Sequence, residues 1–466
     1  MMNLKYLENV FFKGREYSID FITKPCKIHS ASLELKGYKH SLVQIIALSI
    51  ALNVKVKIKN PPLVSDTYVL IGIIQELGGE ATLLGDNLII NPQNICSETL
   101  PYKLGKLIHG SMYLTSALIM KLGKFKYYGS GGCQIGNLDE NGKRPINYIW
   151  DVMQKFGIKT KLNQFDISGR KHGNNNTNTS IDILDFSDKK GVLSGPLVGG
   201  ATKTAIILSV KHKNFTILNP YVKTDVLDML RFLEITGRRI IIEKEKIIIE
   251  NPNSENTKEN CLHIEFNLTQ CISEIITYTT LAVINNVQVK FLNLNKNTIL
   301  VSLEPEFELL KEIGINFFWE NNNLVIRDTS KINSINIEVI PKGIQSDHHP
   351  FFTLILSKAH SQSSIKECVW KNRFIYTKNL EMLGFNLSVL GNTVHILPSN
   401  PLPSNNLKLF GYDVRTAAVT LIASIYTKST VKISKCEHIL RGYNELLKKL
   451  SEFGVKIECK RGELQK

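Results

Sequence analysis

No apolar run in the 466 residues approaches the ~20 needed to span a bilayer, which excludes a membrane-spanning helix. The opening MMNLKYLENVFFKGREYSID has no compact apolar core and no small-residue cleavage site, so no signal peptide is expected. Cysteine is sparse and scattered. The eight (Cys26, Cys96, Cys133, Cys261, Cys271, Cys368, Cys436 and Cys459) form no CxxC pair. That argues against a zinc site and a disulfide framework, and fits a reducing cytoplasm. GxxxxGK(S/T), GxSxG and HExxH are also absent, leaving nucleoside-triphosphate, serine-hydrolase and zincin chemistry unsupported. The formal net charge is +15, yet the basic residues are not blocked together. With no aromatic stacking motif beside them, they fit an anionic substrate, or a drift toward Lys in a chain that also uses Asn and Ile heavily, better than nucleic acid.

What is present is an ordinary soluble composition, 43% apolar and 21% charged, in a chain long enough for two or three domains. One phrase recurs six times: the end of a helical pattern, a glycine, then a strand-like run. It reads ELGGEATL, KFGIKTKL, ITGRRIII, EIGINFFW, MLGFNLSV and EFGVKIEC, with Gly78, Gly157, Gly237, Gly314, Gly384 and Gly454 spaced by about 70–80 residues. Each glycine reads as the residue that ends a helix in a left-handed turn. Each unit also carries a helix apolar almost all round, which reads as buried: SLVQIIALSIALN, GSMYLTSALIMKL, GATKTAIILSVKH, CISEIITYTTLAV, DHHPFFTLILSKA and RTAAVTLIASIYT. The chain is therefore expected to be six small α/β units. GNNNTNTS (173–180) reads as a surface loop, and the first ~25 residues as a partly ordered extension.

Chemistry-bearing residues cluster at a few places. GSGGCQIG (129–136) is a glycine-rich loop around Cys133, followed by Lys143 and Arg144, which favour a thiolate. The plain alternative is a turn with an incidental cysteine. Lys39 stands at the start of the first buried helix, with Ser41 as its expected N-cap, an arrangement suited to an anion. Asp347 opens another such helix, either as a cap or as a functional carboxylate. The adjacent His348 and His349 point about 100° apart on a helix and so do not suit one metal ion; no metal is expected. Arg373, Arg415 (in DVRTAA, with Asp413) and Arg441 occupy matching places in different units. Together with Lys39 and Arg144 they are able to converge on one polyanion, because a guanidinium donates two parallel hydrogen bonds to carboxylate or phosphate.

On GGCQIG followed by RP, SDHHPFF followed by VWKNRF, DVRTAA, and ILRGYNELLKKLSEFG, the chain resembles the enolpyruvyl transferases over about residues 27–460. Within them it looks most like the branch acting on UDP-N-acetylglucosamine; the 3-phosphoshikimate branch shares the sixfold repeat but lacks the GGC loop. The resemblance implies an inside-out α/β barrel of two domains, each of three βαβαββ units. One is expected over 39–267 and the other over 1–38 plus 268–466, with crossovers near Lys39 and Asn267. It implies transfer of the enolpyruvyl group of phosphoenolpyruvate to the 3-hydroxyl of the UDP-sugar, without a cofactor, by a monomer. Lys39, Arg144, Arg415 and Arg441 are implied to hold phosphoenolpyruvate. Cys133 is implied as the lid cysteine, a proton donor or adduct site, and Asp347 as the group taking the sugar hydroxyl's proton. Arg144, Pro145, Ile146, Asn147, Tyr148, Val198 and Gly199 fall where the family holds the nucleotide, and Val369 and Arg373 at the rim of the sugar site. The chain departs from the family pattern at His40 (usually Asn), His109 (usually Arg), Asn147 (usually Asp), the stretch 196–200, and an insertion over 137–143. These departures touch the acceptor side more than the reaction. They keep two alternatives open: another acceptor such as a nucleotide or 3-phosphoshikimate, and a non-catalytic nucleotide-binding descendant.

Overall fold

Helices apolar on every face have only one stable place, inside a protein. The six expected from the repeat are present as Lys39–Leu52, Tyr113–Leu122, Gly195–Ser209, Ile272–Ile284, His349–Leu356 and Val414–Tyr426. Every residue from 41 to 52, and every residue of Ile272–Ile284, is buried. The computed structural model describes residues 17–132, 146–163, 166–171, 179–186, 195–251, 263–327, 331–403 and 405–463. The first three buried helices pack against one another, and so do the last three. Sheets surround each trio, with strands that alternate buried and exposed residues, as in Ala31–Glu34 and His263–Asn267. Helices within and sheets without make this an inside-out α/β barrel architecture.

Among the described residues, five of the six sheets have four strands in one shared order, and the other, holding Lys124–Tyr127, has three. In the sheet holding Lys55–Lys59, that strand pairs in parallel with His263–Asn267 and antiparallel with Asn87–Asn91, which pairs in turn with Glu80–Leu84. The corresponding parallel pairs elsewhere are Val289–Leu292 with Ala31–Glu34, Ser363–Glu367 with Asn336–Val339, and Thr430–Ser434 with Asn405–Phe410. The six repeat glycines all adopt positive φ, from 71° at Gly157 to 96° at Gly78, and so end their helices as expected.

Two apolar cores divide the chain. One is built from residues 42–268; the other joins residues 19–38 to residues 271–455. The chain passes between them at 37–39 and 268–270, where Gly37 bridges Gln270. A Cβ on Gly37 would lie 2.6 Å from the Cβ of Leu268, so only glycine lets the two crossing strands lie this close.

Two expectations are corrected. Tyr17–Thr23 is not part of a loose extension: it is a strand inside the sixth sheet, between Thr430–Ser434 and Ile457–Glu463. Ser41 is not an N-cap, because the helix begins at Lys39 and Tyr38 occupies the cap position. GNNNTNTS falls, but for its last two residues, outside the described residues. Among the described residues no helix is long and apolar enough to cross a membrane.

Candidate active site

The repeat places the N-terminal ends of buried helices at one cleft between the two cores. Lys39 is the first residue of its helix, Arg415 the second of Val414–Tyr426, and Asp347 lies two residues ahead of His349–Leu356. Asp413 caps the Arg415 helix, accepting from the backbone N–H groups of Arg415 (2.8 Å) and Thr416 (3.0 Å). Asp347 does not cap: the cap position of its helix is His348, so the cap reading of Asp347 is set aside. The cleft encloses about 280 Å³ and is lined from both cores, including Lys39, His40, His109, Tyr148, Gly199, Asp347, Val369, Arg373, Arg415 and Arg441.

Two carboxylates organise the cations. Asp66, in the first turn of Ser65–Glu76, accepts from Lys39 Nζ (3.0 Å) and from Arg441 Nε (3.0 Å), joining one core to the other. Burial opposes its ionisation, but Arg441 and Lys39 outweigh burial and hold its carboxyl at about 2. Asp347 accepts from Arg373 Nη2, and at 3.0 Å from Arg415 Nη2. Burial again opposes ionisation, and the two guanidiniums hold this carboxyl far below the usual range. Arg415 is 5% exposed and also donates to the hydroxyls of Tyr443 (3.0 Å) and Ser273 (2.9 Å).

The other end of the cleft is aromatic and carries its own ion pair. Lys203 Nζ lies 2.7 Å from Asp225 Oδ2 and 5.1 Å from the centre of the Tyr113 ring, with Tyr148 and Tyr221 on the same wall. A Cβ at Gly200 would lie 2.2 Å from the Tyr148 hydroxyl, so glycine there admits the ring. His40 sits between the two ends. Burial, Lys39 and Lys203 push its imidazole down to about 3, so it is neutral near pH 7. His109, in a short 3-10 turn, faces Ser130 Oγ at 3.2 Å. The opening of the glycine loop packs here: a Cβ at Gly132 would lie 3.1 Å from the Cβ of His109, and one at Gly131 would meet the Lys106 carbonyl oxygen at 1.7 Å.

Two of the expected residues, Ile146 and Asn147, are not among those lining the cleft. Ile146 precedes the helix Asn147–Lys155 and packs on the 42–268 core, while Asn147 is exposed. Val198 lies in the first turn of Gly195–Ser209. Cys133, Arg144 and Pro145 lie outside the described residues. The adjacent histidines face two different carboxylates, Glu306 for His348 and Glu367 for His349, and no metal-binding cluster is found among the described residues. Of the other described cysteines, Cys271, Cys368 and Cys436 are buried, Cys26 is half-buried, and Cys96 and Cys459 are exposed.

The model of the family "EPSP synthase (3-phosphoshikimate 1-carboxyvinyltransferase)" matches residues 24–450. The chain belongs to this family of enolpyruvyl transferases. Among curated relatives, proteins named UDP-N-acetylglucosamine 1-carboxyvinyltransferase from Kosmotoga olearia and Pelagibacter ubique are 24% and 27% identical. Each alignment covers 91% of this chain, and 95% and 96% of the relative. Among solved structures, the enolpyruvyl transferase NikO from Streptomyces tendae matches with a TM-score of 0.85 and 26% identity, over 96% of this chain and all of that one. An EPSP synthase from Acinetobacter baumannii matches at 0.69 and 14%, covering 95% of this chain and 100% of that one, which is a likeness of fold. As an enolpyruvyl transferase the chain has a cleft of the expected polarity. The signals missed in its sequence were Asp66, Lys203 and Asp225, each an ordinary charge at a helix start or on a helix face until the fold brings its partner.

Proposed function

We propose that this enolpyruvyl transferase moves the enolpyruvyl group of phosphoenolpyruvate to the 3-hydroxyl of UDP-N-acetylglucosamine, releasing phosphate, the first committed step of peptidoglycan synthesis. One observation carries the proposal: Lys39, Arg373, Arg415 and Arg441, from four distant segments, line one cleft, the first and last held on Asp66 and the other two on Asp347. Four fixed cations suit a substrate bearing both a phosphate and a carboxylate, and they stabilise charge without reorganising. An incoming anion competes with Asp347 for Arg415 and Arg373. Each bond it takes makes Asp347 a better base for the acceptor hydroxyl.

In this reading a proton goes to the methylene carbon of phosphoenolpyruvate, with Cys133 as donor. The acceptor oxygen bonds to the neighbouring carbon while its proton passes to Asp347. Loss of phosphate and of one proton from the resulting methyl group then restores the double bond. Lys39, Arg415 and Arg441, joined by Arg144, hold the phosphate and carboxylate. Tyr148, Val198, Gly199, Val369 and Arg373 serve the acceptor. We take 39–267 and 1–38 plus 268–466 as the two bodies that close over both substrates.

A second acceptor is favoured by specific residues. His40 and His109 give the acceptor end a polarity unlike the family pattern, and NikO matches over 96% of the chain. Phosphate release from phosphoenolpyruvate, with UDP-N-acetylglucosamine, UMP and shikimate 3-phosphate offered separately, decides between acceptors. Release confined to UDP-N-acetylglucosamine is the expected result, and release with another acceptor alone would overturn the named substrate. Cys133 is expected to take up an epoxide analogue of phosphoenolpyruvate faster when the acceptor is bound. In peptide mapping by mass spectrometry, exposed Cys96 and Cys459 are the internal controls. Equal labelling of all three sinks the lid-cysteine role.

A further inference from the structure

Behind Asp347 lies a buried chain of titratable and hydroxyl groups that the reaction above does not use. Glu306 and His348 are 0% exposed, and Glu306 Oε1 lies 2.8 Å from His348 Nδ1. His348 Nε2 is 3.3 Å from the hydroxyl of Ser273, also fully buried. Ser273 Oγ accepts from Arg415 Nη2 at 2.9 Å, and the same nitrogen donates to Asp347 at 3.0 Å. Four separate elements supply the set: Glu304–Ile313, Ile272–Ile284, the turn before His349–Leu356, and Val414–Tyr426.

The chemistry gives the chain a direction. A carboxylate only accepts, so Glu306 selects the His348 tautomer with its proton on Nδ1. Nε2 is then the acceptor for the Ser273 hydroxyl, whose oxygen is left to accept from Arg415. A serine, histidine and carboxylate in this order have the connectivity of a hydrolase triad. Here the serine is sealed from the cleft and already engaged by a guanidinium, so it orients rather than attacks. Arg373, the other arginine on Asp347, is backed in parallel. Its Nε donates to Ser346 Oγ (3.4 Å), and Ser346 donates to Glu367 Oε2 (2.7 Å). His349 Nε2 is 3.4 Å from that same oxygen.

We infer that Glu306, His348 and Ser273 are positioning residues for the transfer, fixing the Arg415 guanidinium and through it the direction in which Asp347 faces the cleft. This rests on the reading of the cleft as the transferase site. The inference is tested with three variants. Ser273→Ala removes the acceptor for Arg415. Asparagine at position 348 reproduces Nδ1 and keeps the Glu306 contact, whereas glutamine reproduces Nε2 and keeps the Ser273 contact. Ser273→Ala and His348→Asn are expected to lower kcat at least tenfold with Tm little changed, and His348→Gln to retain most of it. A merely structural role predicts losses that follow Tm and spare neither His348 variant. Crystal structures of the variants supply a readout independent of turnover: the Arg415 guanidinium is expected to leave Asp347 in Ser273→Ala and His348→Asn. An unmoved guanidinium in both overturns the inference, as does a displaced one with wild-type kcat. A wild type that releases no phosphate with any acceptor offered would sink the functional reading, while the crystal structures still decide the positioning.

Discussion

Arg415→Ala is expected to lower kcat/KM for phosphoenolpyruvate by roughly 30- to 1000-fold, the equivalent of about 2–4 kcal/mol of transition-state stabilisation. Three properties of the side chain set the size. It is nearly fully buried, so its charge acts in a medium that screens poorly. It donates to Asp347, Ser273 and Tyr443 at 2.9–3.0 Å, so its place is fixed before substrate arrives. It lines the cleft, so a bound anion meets its charge directly. Arg415→Lys keeps the charge but loses the planar fork, and is expected to fall between the wild type and the alanine variant. Arg441→Ala is expected to cost less, since Lys39 still faces Asp66. Steady-state kinetics on all three check the ranking, and wild-type values for Arg415→Ala would remove it from the anion site.

Asp347→Asn is expected to reduce kcat by about 10²–10⁴, the usual contribution of a positioned base. It also bears on the fold. The amide leaves Arg373 and Arg415 side by side without their counter-charge. Breaking a buried pair costs about 3–5 kcal/mol and an exposed one about 0–1. Asp347 is 30% exposed while its arginines are nearly sealed, so about 1–3 kcal/mol is expected. The pH dependence has a definite sign. The carboxyl is held below its unfolded value, so its contribution is complete above about pH 4 and fades only as the pH falls far beneath that. A thermal melt at pH 7 is expected to show the variant less stable, with inorganic phosphate restoring part of the loss. Full turnover by the asparagine variant would reduce Asp347 to a counter-ion.

The helices and their ends were legible because their signals are local. An all-round apolar run has one destination, and a glycine beyond its end has one common use, so 46 and 50 could be placed inside and Gly78 or Gly454 at a left-handed turn from neighbours alone. The cap at Lys39 was misread because Ser41 is a favourable cap residue, yet the helix starts where the chain leaves the other core. The arginines were legible as a group, their partners were not. Asp66 reads as an acid in a helix's first turn, and its role depends on Arg441, 375 residues away. His348 and His349 looked like a pair in sequence. A helix start turned them toward Glu306 and Glu367, on different elements, and spacing along the chain carries no trace of that.

The strand Tyr17–Thr23 sets a clock on assembly. Thr23 bonds to Ser429, and the strand lies between two others made roughly 400 residues later, with Ile19 and Phe21 facing the core. At about 5–20 residues per second, a separation of roughly 400 residues is a wait of about 20–80 s on the ribosome. Through that interval the strand has neither edge paired, while the core of residues 42–268 has all its chain available to close. The half of the protein begun first is therefore finished last, and a message that stops short of Ile457 strands its own beginning.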